Sequence, residues 1–315
     1  MLSLSKHEER MNLARIMTGA LAAIAAGALS FVPVGAADSR AADAASRGPL
    51  NQPQAPFRIA DDLYYVGMSD VTSYLIVTKD GYILIDGGFA SSAPQILDHI
   101  RTLGFDPKKV KFLLNSHAHY DHAGGLAAVK AATGAVMVAS AADAAVLEAG
   151  GTNDFALKNG AFPPVKVDRI VADGESVMLG GVSITAHVTA GHTKGCTTWT
   201  LPVTIDGARE NALFLCSLSV LPAYRLIGNP AYPNQAADFE KSFATLKGLK
   251  CDVFLASHGN FFDMKEKLAK LQAGAKPNPF IDPEGCRAFF AKAEAVFDRR
   301  LAECRADPAC GKKED

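Results

Sequence analysis

An α/β chain of two mixed β-sheets packed face to face, with helices on the outside, is the fold class this sequence predicts. Two observations point to it. Hairpin-like strand signals followed by alternating helix and strand patterns run through residues 63–149, and the same order of signals returns through residues 176–305. Sheets and amphipathic helices in that order bury their apolar faces best as packed layers. No sequence repeat accompanies the two halves, so any twofold relation between them is structural only. With 315 residues, 49% of them hydrophobic, the chain has ample material for a sizeable core. The net charge of -1 gives no electrostatic footprint for nucleic acid.

The elements follow in order. Lys6, Arg10 and Arg15 precede an apolar, alanine-rich run from Ile16 to Val34, and Val34-Gly35-Ala36 supplies small residues before a cut at Ala37. Residues 1–36 therefore match an export signal. A membrane anchor is the competing reading, disfavoured because the run is short and carries Gly19, Gly27 and Pro33. Residues 37–56, rich in Ala, Ser, Asp, Pro and Gln, form an expected disordered leader. The folded domain is then expected over residues 57–315.

Strand patterns occupy residues 63–66, 73–78 and 82–86, the last two joined by the turn signal Lys79-Asp80-Gly81. Ile96, Leu97, Ile100 and Leu103 share one face of a helix over 93–103. A buried strand at 110–114, a helix at 124–132, a strand at 136–139 and a helix at 142–149 complete the first half. A loop at 150–164 carries Phe155, Leu157 and Phe162 among Gly, Asn and Pro. Strands follow at 176–179, 182–187, 196–201 and 212–216, then a helix at 234–247, a strand at 253–256 and a helix at 264–273. Pro283, suited to the first turn of a helix, opens a last long one to about residue 305.

The strand at 110–114 runs into Asn115-Ser-His-Ala-His-Tyr-Asp-His-Ala-Gly-Gly125, which packs three imidazoles and a carboxylate into six residues. These are the donors first-row metals prefer, and zinc takes them at about 2.0–2.2 Å. Residues two apart in an extended strand share a face, so His117 and His119 can converge on one ion. Asp121 and His122, at the loop's end, can serve a second ion beside it. The tract sits inside a hydrophobic pattern rather than at a terminus, which argues against a chance His-rich turn. His192, in Thr189-Ala-Gly-His-Thr-Lys-Gly195, and His258, in Leu255-Ala-Ser-His-Gly-Asn260, occupy the tips of strands in the same manner as His117. Donors drawn from several strand ends make a rigid site. His187 is assigned a structural role, His99 a helix surface, and His7 the export signal.

Six cysteines suit an oxidising compartment. Cys251 with Cys286 and Cys304 with Cys310 are candidate bridges, and Cys196 and Cys216 lie on apolar segments able to pair as neighbouring strands. Six cysteines allow fifteen pairings, and spacing alone does not choose among them.

Taken together, His-x-His-x-Asp-His at 117–122, the Gly-His-Thr turn at His192, Ser-His-Gly at His258 and the strand ending Ile85-Asp86-Gly87-Gly88 resemble the metallo-β-lactamase superfamily, over roughly residues 57–305. The resemblance implies an αββα sandwich with two zinc ions at one edge of the sheets. It assigns His117, His119 and His192 to the first and Asp121, His122 and His258 to the second. Thioesterases and lactonases of the superfamily carry a bridging aspartate on the strand between the last two histidines. Here that strand, residues 211–219, has no carboxylate, and the pattern resembles the third subclass of class B β-lactamases.

The same resemblance implies the Cys251–Cys286 bridge and a Cys196–Cys216 pairing in place of a thiolate ligand. It implies a hydroxide held between the ions that attacks the lactam carbonyl, with Asp121 orienting the water and relaying its proton. Ser217 and Ser219 would hydrogen-bond the substrate carboxylate, Phe155, Leu157 and Phe162 would wall the ring system, and Asp86 would brace the metal loop. The expected partner is a small-molecule β-lactam, with no nucleic acid, no stable membrane insertion, a monomeric state and a periplasmic location.

Overall fold

The computed structural model of the chain describes residues 48–157, 159–307 and 310–311. The expected export signal at 1–36, and the leader up to residue 47, lie outside the described residues.

Seven strands form the first sheet in chain order: β1 (Phe57–Ala60), β2 (Leu63–Tyr65), β3 (Tyr74–Thr78), β4 (Gly81–Ile85), β5 (Val110–Leu114), β6 (Val136–Ser140) and β7 (Arg169–Val171). Pairing is antiparallel from β1 to β4 and parallel from β4 to β7. Parallel neighbours need crossovers. Helix α1 (Ala93–Thr102) lies between β4 and β5, α2 (Tyr120–Ala123) and α3 (Leu126–Thr133) between β5 and β6, and α4 (Ala141–Glu148) follows β6.

The second sheet contains β8 (Ser176–Leu179), β9 (Val182–Val188), β10 (Thr197–Ile205), β11 (Ala208–Leu215) and β12 (Val253–Ala256), in the order β12-β11-β10-β9-β8. Only β11 and β12 are parallel, and α5 (Gln235–Gly248) crosses between them. Helices α6 (Met264–Gln272) and α7 (Pro283–Ala306) are the last among the described residues, the Asp282 carboxylate capping α7 through the Gly285 N–H.

Strand alternation builds the layers. Leu75, Leu84, Leu113 and Met137 pack in one cluster with Ile96, Ile100, Leu126 and Val129 of α1 and α3. The residues beside them, Ile76, Ile83, Ile85, Leu114 and Val138, belong to the other cluster, with Trp199, Leu201 and Phe214 of the second sheet. All five residues of β4 are buried, as a central strand covered on both faces requires. Each such Leu or Ile side chain taken from water contributes about 1.5–3 kcal/mol before the entropy of ordering is subtracted.

Several expectations are corrected. Strands β1 and β7 have four and three residues at the two edges of their sheet, too short for an alternation to be recognised. Strands β10 and β11 run further than expected because Asp206 and Gly207, both at positive φ, close a tight two-residue hairpin. His99 is buried, not on a helix surface: its Nδ1–H donates to the Val66 carbonyl at 2.8 Å. Residues 48–56 are not a disordered leader. Asn51 is buried, Ser92 Oγ donates to its Oδ1 at 2.7 Å, and the Leu50 carbonyl accepts from Asp70 N and Val71 N at 3.1 Å each.

Three disulfides form, Cys196–Cys216, Cys251–Cys286 and Cys304–Cys310. The second spans 35 residues and ties the segment before β12 to α7, a loop whose closure contributes about 4 kcal/mol in the chain-entropy account. Among the described residues no helix is long and apolar enough to cross a membrane.

Two glycines separate close approach from mere position. A Cβ on Gly125 would stand 2.1 Å from the Gly87 carbonyl oxygen, where the loop after α2 is seated against the loop after β4, whereas nothing lies within 4 Å of a Cβ on Gly248. Gly125→Ala is therefore expected to destabilise the domain by about 1–3 kcal/mol. Gly248→Ala, at the end of α5, is expected to be neutral or to stabilise by up to about 1 kcal/mol. Urea unfolding of the two variants checks both.

Candidate metal centre

Four strand ends meet at one edge of the two sheets. Strand β4 is followed directly by Asp86, held at φ 61 and buried, whose Oδ1 accepts from Ser116 N at 2.7 Å and Asn115 Nδ2 at 3.0 Å. The carboxylate thus holds the chain as it leaves β5, as expected of a brace. His117 and His119 lie beyond β5, not on it; His119 is still extended, with φ -93 and ψ 153, and opens α2. Asp121 and His122 then fall on the first helical turn. Trp199 Nε1 donates to the Asn115 carbonyl at 3.1 Å and fixes the same loop from the second sheet.

His117, His119 and His192 converge. Their ring centroids are 4.6–4.8 Å apart, and their donor atoms all lie within 4.8 Å of one another. A second set lies beside them. Asp121 Oδ2 is 3.2 Å from His122 Nε2 and 3.5 Å from His258 Nε2, and the two nitrogens are 3.2 Å apart. Donors held about 2.0–2.1 Å from a tetrahedral zinc stand roughly 3.3 Å from one another, so this triangle has the edge lengths of a zinc site. Donor atoms of His117 also come within 4.8 Å of those of Asp121 and His122, so the two sets adjoin. All six residues expected from the sequence are thereby brought together.

Hydrogen bonds on the far side of the rings select the lone pairs. His192 Nδ1–H donates to the Ser219 carbonyl at 2.7 Å, and His258 Nδ1–H donates to Asp70 Oδ2 at 2.9 Å. Each therefore presents an unprotonated Nε2 in the neutral state, the usual arrangement behind a metal-ligating histidine. Burial drives the protonation of His117 and His192 well below the ordinary imidazole value and lowers His119 to about 4, although Asp121 opposes the shift at His119. Burial acts on His258 in the same direction, but its hydrogen bonds to Asp121 and Asp70 outweigh it and push the ring up to about 9. Burial would raise Asp121, yet His122 and His258 hold it well below the usual carboxylate range. A carboxylate facing two imidazoles in a buried pocket is a place for a cation, and the residues fit one.

The remaining expected residues sort themselves by contact. Ser217 and Ser219 follow the end of β11. Ser217 is buried, its Oγ accepting from Ser219 N at 3.2 Å, and Ser219 is half-buried. Cys216 is bonded to Cys196 and offers no thiolate. Phe155 packs against Tyr224 and Tyr232, with ring centroids 5.3 and 5.0 Å away. Phe162 belongs to the core between the first sheet and its helices, which corrects its expected place in an apolar wall. Tyr120 packs on Phe89 at 5.8 Å, and His187 Nε2 sits 2.9 Å from Thr200 Oγ1, both structural roles.

Comparison with known proteins agrees with this geometry. Residues 66–204 match the pattern of the Metallo-beta-lactamase superfamily. The native FEZ-1 metallo-β-lactamase from Legionella gormanii is 41% identical, covering 82% of this chain and 100% of its own, with a TM-score of 0.81. BJP-1, a subclass B3 metallo-β-lactamase of Bradyrhizobium japonicum, is 39% identical over 83% of this chain and 98% of its own, with a TM-score of 0.78. The chain belongs to the metallo-β-lactamase superfamily. A probable metallo-hydrolase from Burkholderia pseudomallei is 29% identical over 136 residues, 42% of this chain and 45% of that protein. Shorter matches include a hydroxyacylglutathione hydrolase and N-acyl homoserine lactonases. This chain spans less than half the length of these curated relatives.

Four supporting residues escaped the sequence reading. Asp143, at the start of α4, accepts from Ala118 N at 3.0 Å, Thr193 Oγ1 at 2.9 Å and Gly195 N at 2.9 Å, so one carboxylate ties the 117–122 loop to the turn bearing His192. Asp70 accepts from His258 Nδ1 and from Asn260 N at 2.8 Å. Tyr224 OH donates to the His192 carbonyl at 2.6 Å. Asp154 Oδ2 faces His119 Nε2 at 3.8 Å. Each acts across a long sequence separation, 188 residues for Asp70 and His258, and no local pattern marks it.

The lowered imidazoles set a pH dependence. A histidine neutral in the fold but protonated on unfolding contributes stability above its unfolded value of 6.5, and that contribution is lost as pH falls through its folded value. With metal removed by chelation, the unfolding midpoint is expected to fall as pH drops from about 6.5 toward 4, and His119→Gln should flatten the slope. Thermal scans of both proteins across that window test it.

Proposed function

We propose that this chain is a periplasmic hydrolase that opens the amide bond of β-lactam rings, in penicillins, cephalosporins or carbapenems, with two zinc ions. The observation that carries the proposal is the Asp121–His122–His258 triangle beside His117, His119 and His192, in a chain similar along most of its length to two β-lactamases. Two zinc ions so held would supply Lewis acidity toward the ring carbonyl and bring the pKa of a water down toward about 7. Three protein donors to each ion would leave room for water and substrate.

The chain's own groups set up the rest. His117, His119 and His192 are neutral at pH 7 and present lone pairs without first losing a proton. Asp121, held well below the usual carboxylate range by His122 and His258 against the opposing effect of burial, orients the attacking water and relays its proton, help worth about 10²–10⁴ in rate. Ser219, whose carbonyl holds His192, and Ser217, whose Oγ accepts from Ser219 N, hydrogen-bond the substrate carboxylate through their hydroxyls. The three disulfides support a location outside the cytosol, and residues 1–36 carry the composition of the export signal that would take the chain there.

A lactonase is the second reading, favoured by the short matches to N-acyl homoserine lactonases. Against it stands the segment 211–219, which holds no carboxylate and in which Cys216 is bonded to Cys196, where the resemblance leads one to expect a bridging aspartate in lactonases. Purified zinc-loaded protein is expected to hydrolyse a chromogenic cephalosporin and a carbapenem, to lose that activity to a chelator and to regain it with added zinc. Turnover of neither compound by protein with zinc bound would refute the proposal. His117→Ala is expected to cut the rate at least 100-fold while leaving the far-ultraviolet circular dichroism unchanged; retained activity would remove His117 from the ligand set.

A further inference from the structure

His119 Nε2 is buried and has no hydrogen-bond partner among the described residues, and Asp154 Oδ2 faces it 3.8 Å away. Both side chains are 5% exposed. The other oxygen of the same carboxylate is committed to its own loop: Asp154 Oδ1 accepts from Ala156 N at 2.7 Å and Leu157 N at 2.5 Å, closing a turn. That turn carries Phe155, which packs on Tyr224, and Tyr224 donates to the His192 carbonyl. One carboxylate therefore links a first-set imidazole to the segment beside the site.

We infer that Asp154 is a positioning residue coupling metal occupancy at His117, His119 and His192 to the order of the 154–157 turn. The inference rests on the metal reading above. With Nε2 turned to Asp154, the Nδ1 lone pair of His119 is the one left for the ion. Engaging that lone pair leaves the hydrogen on Nε2 and makes it a stronger donor, and the natural acceptor is Asp154 Oδ2. Charge-assisted N–H···O bonds close to about 2.7–2.9 Å, so the turn is drawn inward by about 1 Å and held there. In return, a turn already closed orients His119 for the ion. Binding coupled in this way is reciprocal: what metal does for the turn, the turn does for metal.

The two oxygens allow a clean test. Asn at 154 keeps an acceptor for Ala156 N and Leu157 N, so the turn survives, but it offers an amide N–H to the His119 N–H. Ala removes both functions. Zinc is titrated into metal-free wild-type protein, Asp154→Asn and Asp154→Ala, with bound zinc counted and amide exchange of residues 154–157 followed by mass spectrometry. In the wild type, zinc is expected to slow exchange in this segment at least 10-fold. Asp154→Asn is expected to bind its first zinc 10–100-fold more weakly and to lose most of the zinc-dependent protection, while its metal-free exchange matches wild type. If Asp154→Asn behaves like wild type and only Asp154→Ala differs, the carboxylate serves the turn alone and the inference is overturned. If wild-type protein takes up no zinc, the inference falls together with the metal reading, an outcome the zinc count distinguishes from the first.

Discussion

Five imidazoles and a carboxylate crowd one edge of an apolar sandwich, where an unpaired charge or an unmade hydrogen bond is costly. That crowding is the constraint the remaining structure serves. Three of the five rings have the nitrogen turned away from the pocket engaged, and two, His119 and His122, have a buried nitrogen with no hydrogen-bond partner among the described residues. The Ser219 carbonyl engages His192, Asp70 engages His258 and Ser116 Oγ, 3.1 Å from Nδ1, engages His117. His122 and His119 face Asp86 and Asp154 at the longer distances of 3.9 and 3.8 Å. Behind the donors stand three aspartates, a serine hydroxyl and a backbone carbonyl.

The fold explains why those aspartates can reach. Each loop carrying these histidines leaves the end of a strand, and each brace comes from a neighbouring element: Asp86 from the end of β4 to the loop after β5, Asp143 from α4 to both that loop and the His192 turn, and Asp70 from the loop after β2 to the end of β12. The Val71–His258 bridge and the hydrogen bond from Thr72 Oγ1 to the Ala256 carbonyl at 2.7 Å join the two sheets at the same edge. Gly87 and Gly125 let two backbones meet where any side chain would separate them. The Cys196–Cys216 bridge fastens the start of β10 to the end of β11, between His192 and Ser219. A site assembled from distant segments becomes rigid because every segment is tied at its root.

Much of this was legible in the sequence, for a physical reason. Imidazoles and carboxylates in a short span stand out by residue type, and the 117–122 tract, with His192 and His258, pointed to six side chains that the fold brings together. Central strands such as β4 and β5 stood out as apolar runs, and α1 by its spacing. What stayed hidden depends on contacts between remote residues. An aspartate on a helix start, such as Asp143, looks like an ordinary first-turn acid until Gly195 and Thr193 are seen beside it. His99 looked solvent-facing because nothing in its helix foretells the Val66 carbonyl it meets. Strands β1 and β7 exist because the sheet edge recruits them, not because three or four residues carry a signal of their own.

The central claim is that two three-residue donor sets hold two zinc ions side by side. Anomalous diffraction at the zinc edge, from crystals of the zinc-loaded protein, measures it directly. Two peaks about 3.5–4 Å apart are predicted, one within about 2.0–2.2 Å of His117, His119 and His192 and the other of Asp121, His122 and His258. No peak, a single shared peak, or any one of the six side chains turned away from both would contradict the account.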